Sequence, residues 1–327
     1  MSVDLDRRTS LALLATLLAG PAAALPGDTP AHEARRIPQK ASRRVIIDND
    51  FAGDPDGLVA AAHQLLQAKT QTVLITASAL LPKLKVPGVD MAASATQGQA
   101  LAQEMLRRMA LPASLPVAAG SNRLGTLEPS AAAEAIVHEA MREHPLPLFF
   151  TCGGPLTNLA AALRIEPAIA QRMTVVWIGG GAYPEGGWEY NLATDLLAAR
   201  EVIEGSRVPL WQVPQDAYRQ VQMSMAELQA DLRPISPFTR WLYSRFTQPP
   251  DFVDLGGTWP QGDNPLVLLT ALSTESSRWR ERPARRLRDD GSYGEELTER
   301  RLRVFEQLDV RLIVADLLAQ LKLHAQR

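Results

Sequence analysis

The stretch Ile46–Gly57, IIDNDFAGDPDG, places Asp48, Asp50, Asp54 and Asp56 within nine residues, directly after the apolar run Val45-Ile46-Ile47. Carboxylates so close together repel one another unless protons or a cation neutralise them. Hard divalent cations want oxygen ligands, and calcium takes roughly 6–8 of them. One short loop rarely supplies a full shell, so a distant carboxylate and a backbone carbonyl are expected to complete it. Asp263, in the stretch GGTWPQGDNPL, is a candidate for the first, and a carbonyl in the turn Cys152-Gly153-Gly154 for the second. The competing reading is a helix N-terminus capped by Asp54 or Asp56. It leaves Asp48 and Asp50 uncompensated at a strand end, which is costly. The five histidines (His32, His63, His138, His144, His324) fall in a leader, on helical patterns or at a helix end, away from these loops. That argues against zinc or another imidazole-bound metal, and His63 and His138 read as surface or packing residues.

The elements that must position these groups follow from periodicity. Short apolar runs at Val45–Ile47, Val73–Thr76, Pro116–Ala119, Leu148–Thr151, Val175–Gly179 and Leu210–Val213 predict strands. Helical patterns at Leu58–Gln67, Ala92–Met109, Ala131–Arg142, Leu156–Arg164 and Leu196–Glu204 lie between them, and another follows at Val267–Ser273. That alternation predicts an α/β fold with an open, mostly parallel central sheet flanked by helices. In such sheets ligands bind outside the carboxyl ends of the strands. The acidic loop, TCGGPLTN (Thr151–Asn158), GGGAYPEGGWEYN (Gly179–Asn191) and QDAY (Gln215–Tyr218) each follow a strand end and would converge on one rim.

Residues 1–24 have the layout of an export signal, with Arg7-Arg8, an apolar run from Leu11 to Leu18 and small residues through Ala24. The paired arginines resemble the twin-arginine type. The run is shorter than the roughly 20 residues a membrane span needs. The expectation is cleavage near Ala24, a leader at 25–43, a single domain at 44–327 and a periplasmic or secreted protein with no membrane attachment after cleavage. A formal charge of −2 gives no footprint for nucleic acid. The basic run RWRERPARRLR (278–288) reads as a solvated turn. Cys152 is the only cysteine, so no intramolecular disulfide exists and the core alone must supply stability.

IIDNDFAGDPDG resembles the aspartate-rich N-terminal signature of the nucleoside hydrolases, and three further segments resemble that family in the same order: GGPLTNLAAAL, WEYNLATDLLAA and GDNPLVLLTAL. The C-terminal segment RLRDDGSYGEELTERRLRVFEQLDVRLIVADLLAQL is similar to one branch of the superfamily. The resemblance implies a metal-dependent hydrolase that cleaves the N-glycosidic bond of ribonucleosides to free base and ribose. It implies Ca2+ held by Asp50, Asp56, Asp263 and the carbonyl of Gly153, with Asp48 and Asp54 in the same acidic shell. Asp50 would take the proton of the attacking water. Asp54 could instead contact the ribose, and Glu189 and Asn191 match the ribose-contacting pair. Family members often form dimers or tetramers, but nothing in these residues shows it.

Three departures stand out. Gly262 replaces the histidine that serves one branch as leaving-group acid, Gly57 stands where a carboxylate often does, and the loop from Gly181 to Glu189 is short. Trp188 and Trp259 flank the site loops and could stack on a purine base, and Tyr190 or Tyr183 could donate a proton. Thr157 and Asn158 read as caps of the helix that follows them, as does Asp195 for its own helix. Asp216 reads as support for the site or as a turn residue. Two other functions compete: a periplasmic nucleoside- or ribose-binding protein without turnover, and a magnesium-dependent phosphohydrolase using Asp48-Asn49-Asp50.

Overall fold

Alternate residues of the first strand bury against opposite layers, and this sets the architecture. Strand β1 (Arg43–Asn49) turns Val45 and Ile47 toward one core, with Leu58, Met105, Leu242 and Leu317. It turns Ile46 toward the other, with Ile136, Leu159 and Val202. A strand buried on both faces reads as a continuous apolar run, as Val45-Ile46-Ile47 does. The computed structural model describes residues 37–83, 85–249 and 256–327; residues 1–24, expected to be an export signal, lie outside the described residues. Residues 40–327 form one compact unit.

Further strands are β2 (Thr70–Ala77), β3 (Val117–Ala119), β4 (Leu148–Cys152), β5 (Met173–Ile178), β6 (Leu210–Val213), β7 (Gln222–Ser224), β8 (Thr258–Pro260), β9 (Arg278–Leu287) and β10 (Tyr293–Gln307). The eight-stranded sheet runs β3-β2-β1-β4-β5-β6-β10-β9, and β7 pairs with β8 in a small antiparallel ribbon. Every pair from β3 to β10 is parallel, and only the β10–β9 hairpin is antiparallel. Helices Asp56–Leu65, Ser94–Arg108, Ala131–Met141, Thr157–Ile165 and Leu196–Ile203 connect successive strands. The order of connection reverses between β1 and β4, which opens a crevice at their carboxyl ends. The acidic loop and the TCGG turn border that crevice.

The basic run 278–288 is not a turn. It forms edge strand β9, paired along β10 from Tyr293↔Leu287 to Gln307↔Arg278. Charge on both faces hid the strand period, because a strand at the edge of a sheet tolerates charged residues and proline that a central strand would not. Its arginines are paired: Arg278, Arg280 and Arg282 all reach Glu306. Arg303 lies between the rings of Trp211 and Trp279, 4.3 and 4.0 Å from their centroids. No described helix is long and apolar enough to cross a membrane.

Candidate functional site

Four segments meet at the crevice, and Asn49 is the joint between them. Its Nδ2 donates to Asp263 Oδ2 at 2.8 Å. A Cβ on Gly153 would lie 2.3 Å from that nitrogen and 2.6 Å from Asp263 Oδ2. A Cβ on Gly57 would lie 2.3 Å from Asn49 Oδ1. The glycine at 57 is therefore a packing consequence of Asn49, and a side chain there would need a different residue at 49. Asp263 is fixed a second time, since its backbone N–H donates to Asp56 Oδ2 at 3.2 Å. The turn that carries it is anchored on the strand ribbon through Gln261 N–H to Val221 O at 2.7 Å.

Asp48, Asp50, Asp56 and Asp263 are all buried. Burial pushes the Asp50 and Asp56 carboxyls well above their usual range, and acidic neighbours push them further: Asp263, Asp54 and Asp48 for Asp50, and Asp263, Asp54 and Asp50 for Asp56. Burial raises Asp263 to about 7 and Asp48 to about 6. Asp48 is the best supported of the four. It accepts from Thr76 Oγ1 at 2.6 Å, Asn158 Nδ2 at 2.7 Å, Ser78 Oγ at 3.3 Å and Cys152 Sγ at 3.5 Å. These donors hold its carboxylate beneath the loop, next to Asp50. Asp54 is the exposed member; it accepts from the indole N–H of Trp259 at 3.0 Å and from Asp56 N–H at 3.3 Å.

The ends of β4 and β5 add the other side of the crevice. Asn191 Nδ2 donates to Gly153 O at 3.2 Å and to Ile178 O at 2.9 Å. Glu189 caps the helix Tyr190–Thr194, accepting from Asn191 N–H and Leu192 N–H, and it also accepts from Gly180 N–H at 2.8 Å and Tyr218 O–H at 3.0 Å. Burial raises its carboxyl despite those donors. Trp188 stands 57% exposed, whereas Trp259 is 2% exposed and packs edge-on against Phe246. Tyr190 neighbours Asp50 and Asp54, and burial with those charges raises its hydroxyl. Tyr183 lies elsewhere, donating to Pro283 O on β9 at 2.6 Å. Asp216 is exposed on the turn Gln215–Tyr218.

Three sequence expectations change here. Thr157 and Asn158 do not cap their helix: the N-cap is Leu156, without a side-chain bond. Asn158 donates to Asp48, and Thr157 Oγ1 donates to Asp195 Oδ2 at 2.8 Å, while Asp195 does cap the helix Leu196–Ile203. Asp56 does not cap the helix Asp56–Leu65, whose N-cap position is Pro55; the helix's first N–H, that of Asp56, is taken by Asp54 Oδ1 at 3.3 Å. His63 is not remote from the site but fully buried behind it, 3.0 Å from Asn264 Oδ1 through Nδ1 and 2.8 Å from Asp316 Oδ2 through Nε2. With the Asn264 amide turned so that its NH2 donates to Nδ1, the unpartnered Asn264 Nδ2 is satisfied and the ring donates from Nε2 to Asp316. Nothing local in the sequence marks this relay, because its partners lie 201 and 253 residues from His63.

The donor set suits a hard cation. It is all oxygen, and Asn49 Oδ1 and both polar atoms of Gln261 are buried without partners beside Asp263. Among the described residues no three acidic, histidine or cysteine side chains close around an ion by themselves. Amide or carbonyl oxygens must therefore complete any shell.

Comparison with known proteins bears on the family and the fold. The sequence model of the family described as inosine-uridine preferring nucleoside hydrolase matches residues 45–298. The pyrimidine-specific ribonucleoside hydrolase RihA of Salmonella enteritidis PT4 (strain P125109) is 24% identical over 208 residues, 57% of this chain and 64% of that relative. The pyrimidine-specific ribonucleoside hydrolase RihB of Escherichia coli O1:K1 / APEC is 43% identical over 61 residues, 17% of this chain and 19% of that relative. The matches thus span less than two thirds of these curated relatives. Two solved structures share the fold, both covering 86% of this chain and 99% of their own: the plant nucleoside hydrolase PpNRh1 (TM-score 0.65, 17% identity) and the inosine-uridine preferring nucleoside hydrolase from Bacillus anthracis (TM-score 0.65, 15% identity).

Proposed function

The chain belongs to the inosine-uridine preferring nucleoside hydrolase family, and we propose that it hydrolyses the N-glycosidic bond of ribonucleosides with Ca2+ bound at the acidic crevice. The observation that carries this reading is the tie of Asp263 to Asn49 and to Asp56, with the buried Asp50 charge alongside, and among the described residues no cationic side chain bonds to them. Asp50, Asp56, Asp263 and the carbonyl of Gly153 would hold the ion, with Asp48 supporting the shell from beneath. A cation there supplies Lewis acidity, acidifying water and gripping sugar oxygens.

The chain's own groups do the rest. Asp50 accepts a proton from the water that attacks C1′. The carboxylates around it stabilise the positive charge that develops on the ribosyl ring, as in glycoside hydrolysis. Asp54, Glu189 and Asn191 would orient the ribose, with Trp188 and Trp259 beside the base. For Glu189 and Asn191 this contact would share polar atoms already engaged in the cap and the Gly153 tie. Export is part of the reading and rests on the Arg7-Arg8 segment. The test is release of base and ribose from inosine, uridine and 4-nitrophenyl riboside by wild type and by Asp50→Asn. Turnover lost in the variant while the protein stays folded supports the reading; equal turnover overturns it.

A further inference from the structure

The acidic loop also walls a second space. A cavity of about 650 Å³ borders Gly53 and Pro55 of that loop, a volume within the range of small-molecule sites. Gly53 joins it to the crevice, since a Cβ on this residue would lie 3.7 Å from Asp50 Oδ2. The other walls are residues 86–89 and the end of the helix Pro237–Arg245, with Arg245 and Gln248 on the lining. Phe246, next to Arg245, packs edge-on against Trp259, whose indole N–H donates to Asp54. The helix end, Trp259 and Asp54 thus link the cavity wall to the crevice.

The lining carries one kind of charge. Among the described residues that border the cavity, none is acidic and Arg245 is the one cation. Its guanidinium stands 5.6 Å from the centroid of the Trp241 ring, which Arg108 also meets, at 5.2 Å. Among the described residues Arg108 is paired with Glu104 at 2.6 Å, whereas no carboxylate reaches Arg245. Partial burial, and then the like charge of Arg108, lower the Arg245 guanidinium from its ordinary value. A guanidinium laid on an indole keeps its N–H edge for a carboxylate or phosphate, which it matches in two parallel hydrogen bonds. Gln248 adds an amide donor on the same wall.

We infer that this cavity receives an anionic substituent of the riboside, a carboxylate or a phosphate, and that Arg245 determines specificity for it. The inference rests on the hydrolase reading above. The test measures kcat and KM of calcium-loaded wild type, Arg245→Leu and Arg245→Lys for uridine, 5-carboxyuridine, uridine 5′-monophosphate and 4-nitrophenyl riboside. The quantity read is the ratio of kcat/KM for each anion to that for uridine, which cancels any general loss of activity. Arg245→Leu is expected to lower this ratio for one of the anions by about tenfold or more, as loss of a hydrogen bond between charged groups does. The loss should fall chiefly on KM, as for binding made equally in ground and transition states, and Arg245→Lys, which keeps the charge, should lose less. The anion that responds tells whether the base or the 5′ position carries the charge. A ratio that falls less than about tenfold for both anions, or cleavage of neither anion while uridine is hydrolysed, overturns the inference and leaves the hydrolase intact. No cleavage of any of the four compounds overturns the hydrolase reading and the inference with it.

Discussion

Gly153→Ala isolates the geometry of the site from its charge, because it adds one methyl group and changes no ionisable residue. The new Cβ would lie 2.3 Å from Asn49 Nδ2 and 2.6 Å from both Cγ and Oδ2 of Asp263. Carbon does not approach such atoms closer than about 3.4 Å, so Asn49 and Asp263 must each retreat by roughly 1 Å, and misplacement on that scale costs about 10²-fold in rate. Overpacking a buried site costs about 1–3 kcal/mol, which lowers Tm by a few degrees in a domain of this size. The Asn49–Asp263 hydrogen bond cannot survive that retreat, so calcium affinity should fall with activity. Gly294→Ala serves as control, since its nearest contact is Arg286 at an ordinary 3.4 Å. The assay is kcat/KM for 4-nitrophenyl riboside with calcium titration and thermal unfolding on the same samples. A Gly153→Ala protein with wild-type kcat/KM and calcium affinity would refute the placement of Asp263 against Gly153.

Tyr218→Phe keeps the ring over Gly262 but removes the donor to Glu189. A lost hydrogen bond to a buried carboxylate is worth about 1–2 kcal/mol, so kcat/KM should fall about 5–30-fold; no change would show that the bond does not position Glu189. In metal-free protein, Asp48 and Asp263 titrate near about 6 and about 7. Their folded pKa values exceed the unfolded ones, so their stabilising contribution is complete below pH about 4 and is lost as pH rises toward 7, on the order of 3 kcal/mol per group. Tm measured with chelator should therefore fall across that window, with calcium suppressing the fall; a flat profile would contradict the buried, uncompensated cluster. His63→Leu strands Asn264 and Asp316 and should cost about 2–4 kcal/mol, read by denaturant unfolding. An unaltered midpoint would remove His63 from the support of the Asp263 turn.

The legible parts of this protein were those in which a short segment carries its own physical signal. Asp48 and Asp50 at the end of a doubly buried strand mark a polar site, and the apolar runs of β1 to β6 announce a parallel sheet. The hairpin β9–β10 was hidden because Arg278, Arg280 and Arg282 find their partner in Glu306 across the strand pair, so the charges that suggest solvent in fact sit in a ladder. The roles of Asn158 and His63 were hidden for another reason. Each completes a contact made only when the sheet brings distant chain together: Asn158 with Asp48, and His63 with Asn264 and Asp316. Asn49 joins four segments, yet in sequence it is one polar residue between two aspartates.

On the proposed reading, N-ribosyl hydrolysis requires a divalent cation at the Asp50–Asp56–Asp263 crevice. The most direct measurement of that requirement is stoichiometric reconstitution: chelated protein is titrated with Ca2+ while binding and base release are followed together, for wild type and Asp263→Ala. The expected result is a single calcium site whose filling restores turnover in step with occupancy, and whose affinity collapses in Asp263→Ala. Full turnover by chelated protein, or calcium binding unaffected by Asp263→Ala, would contradict it.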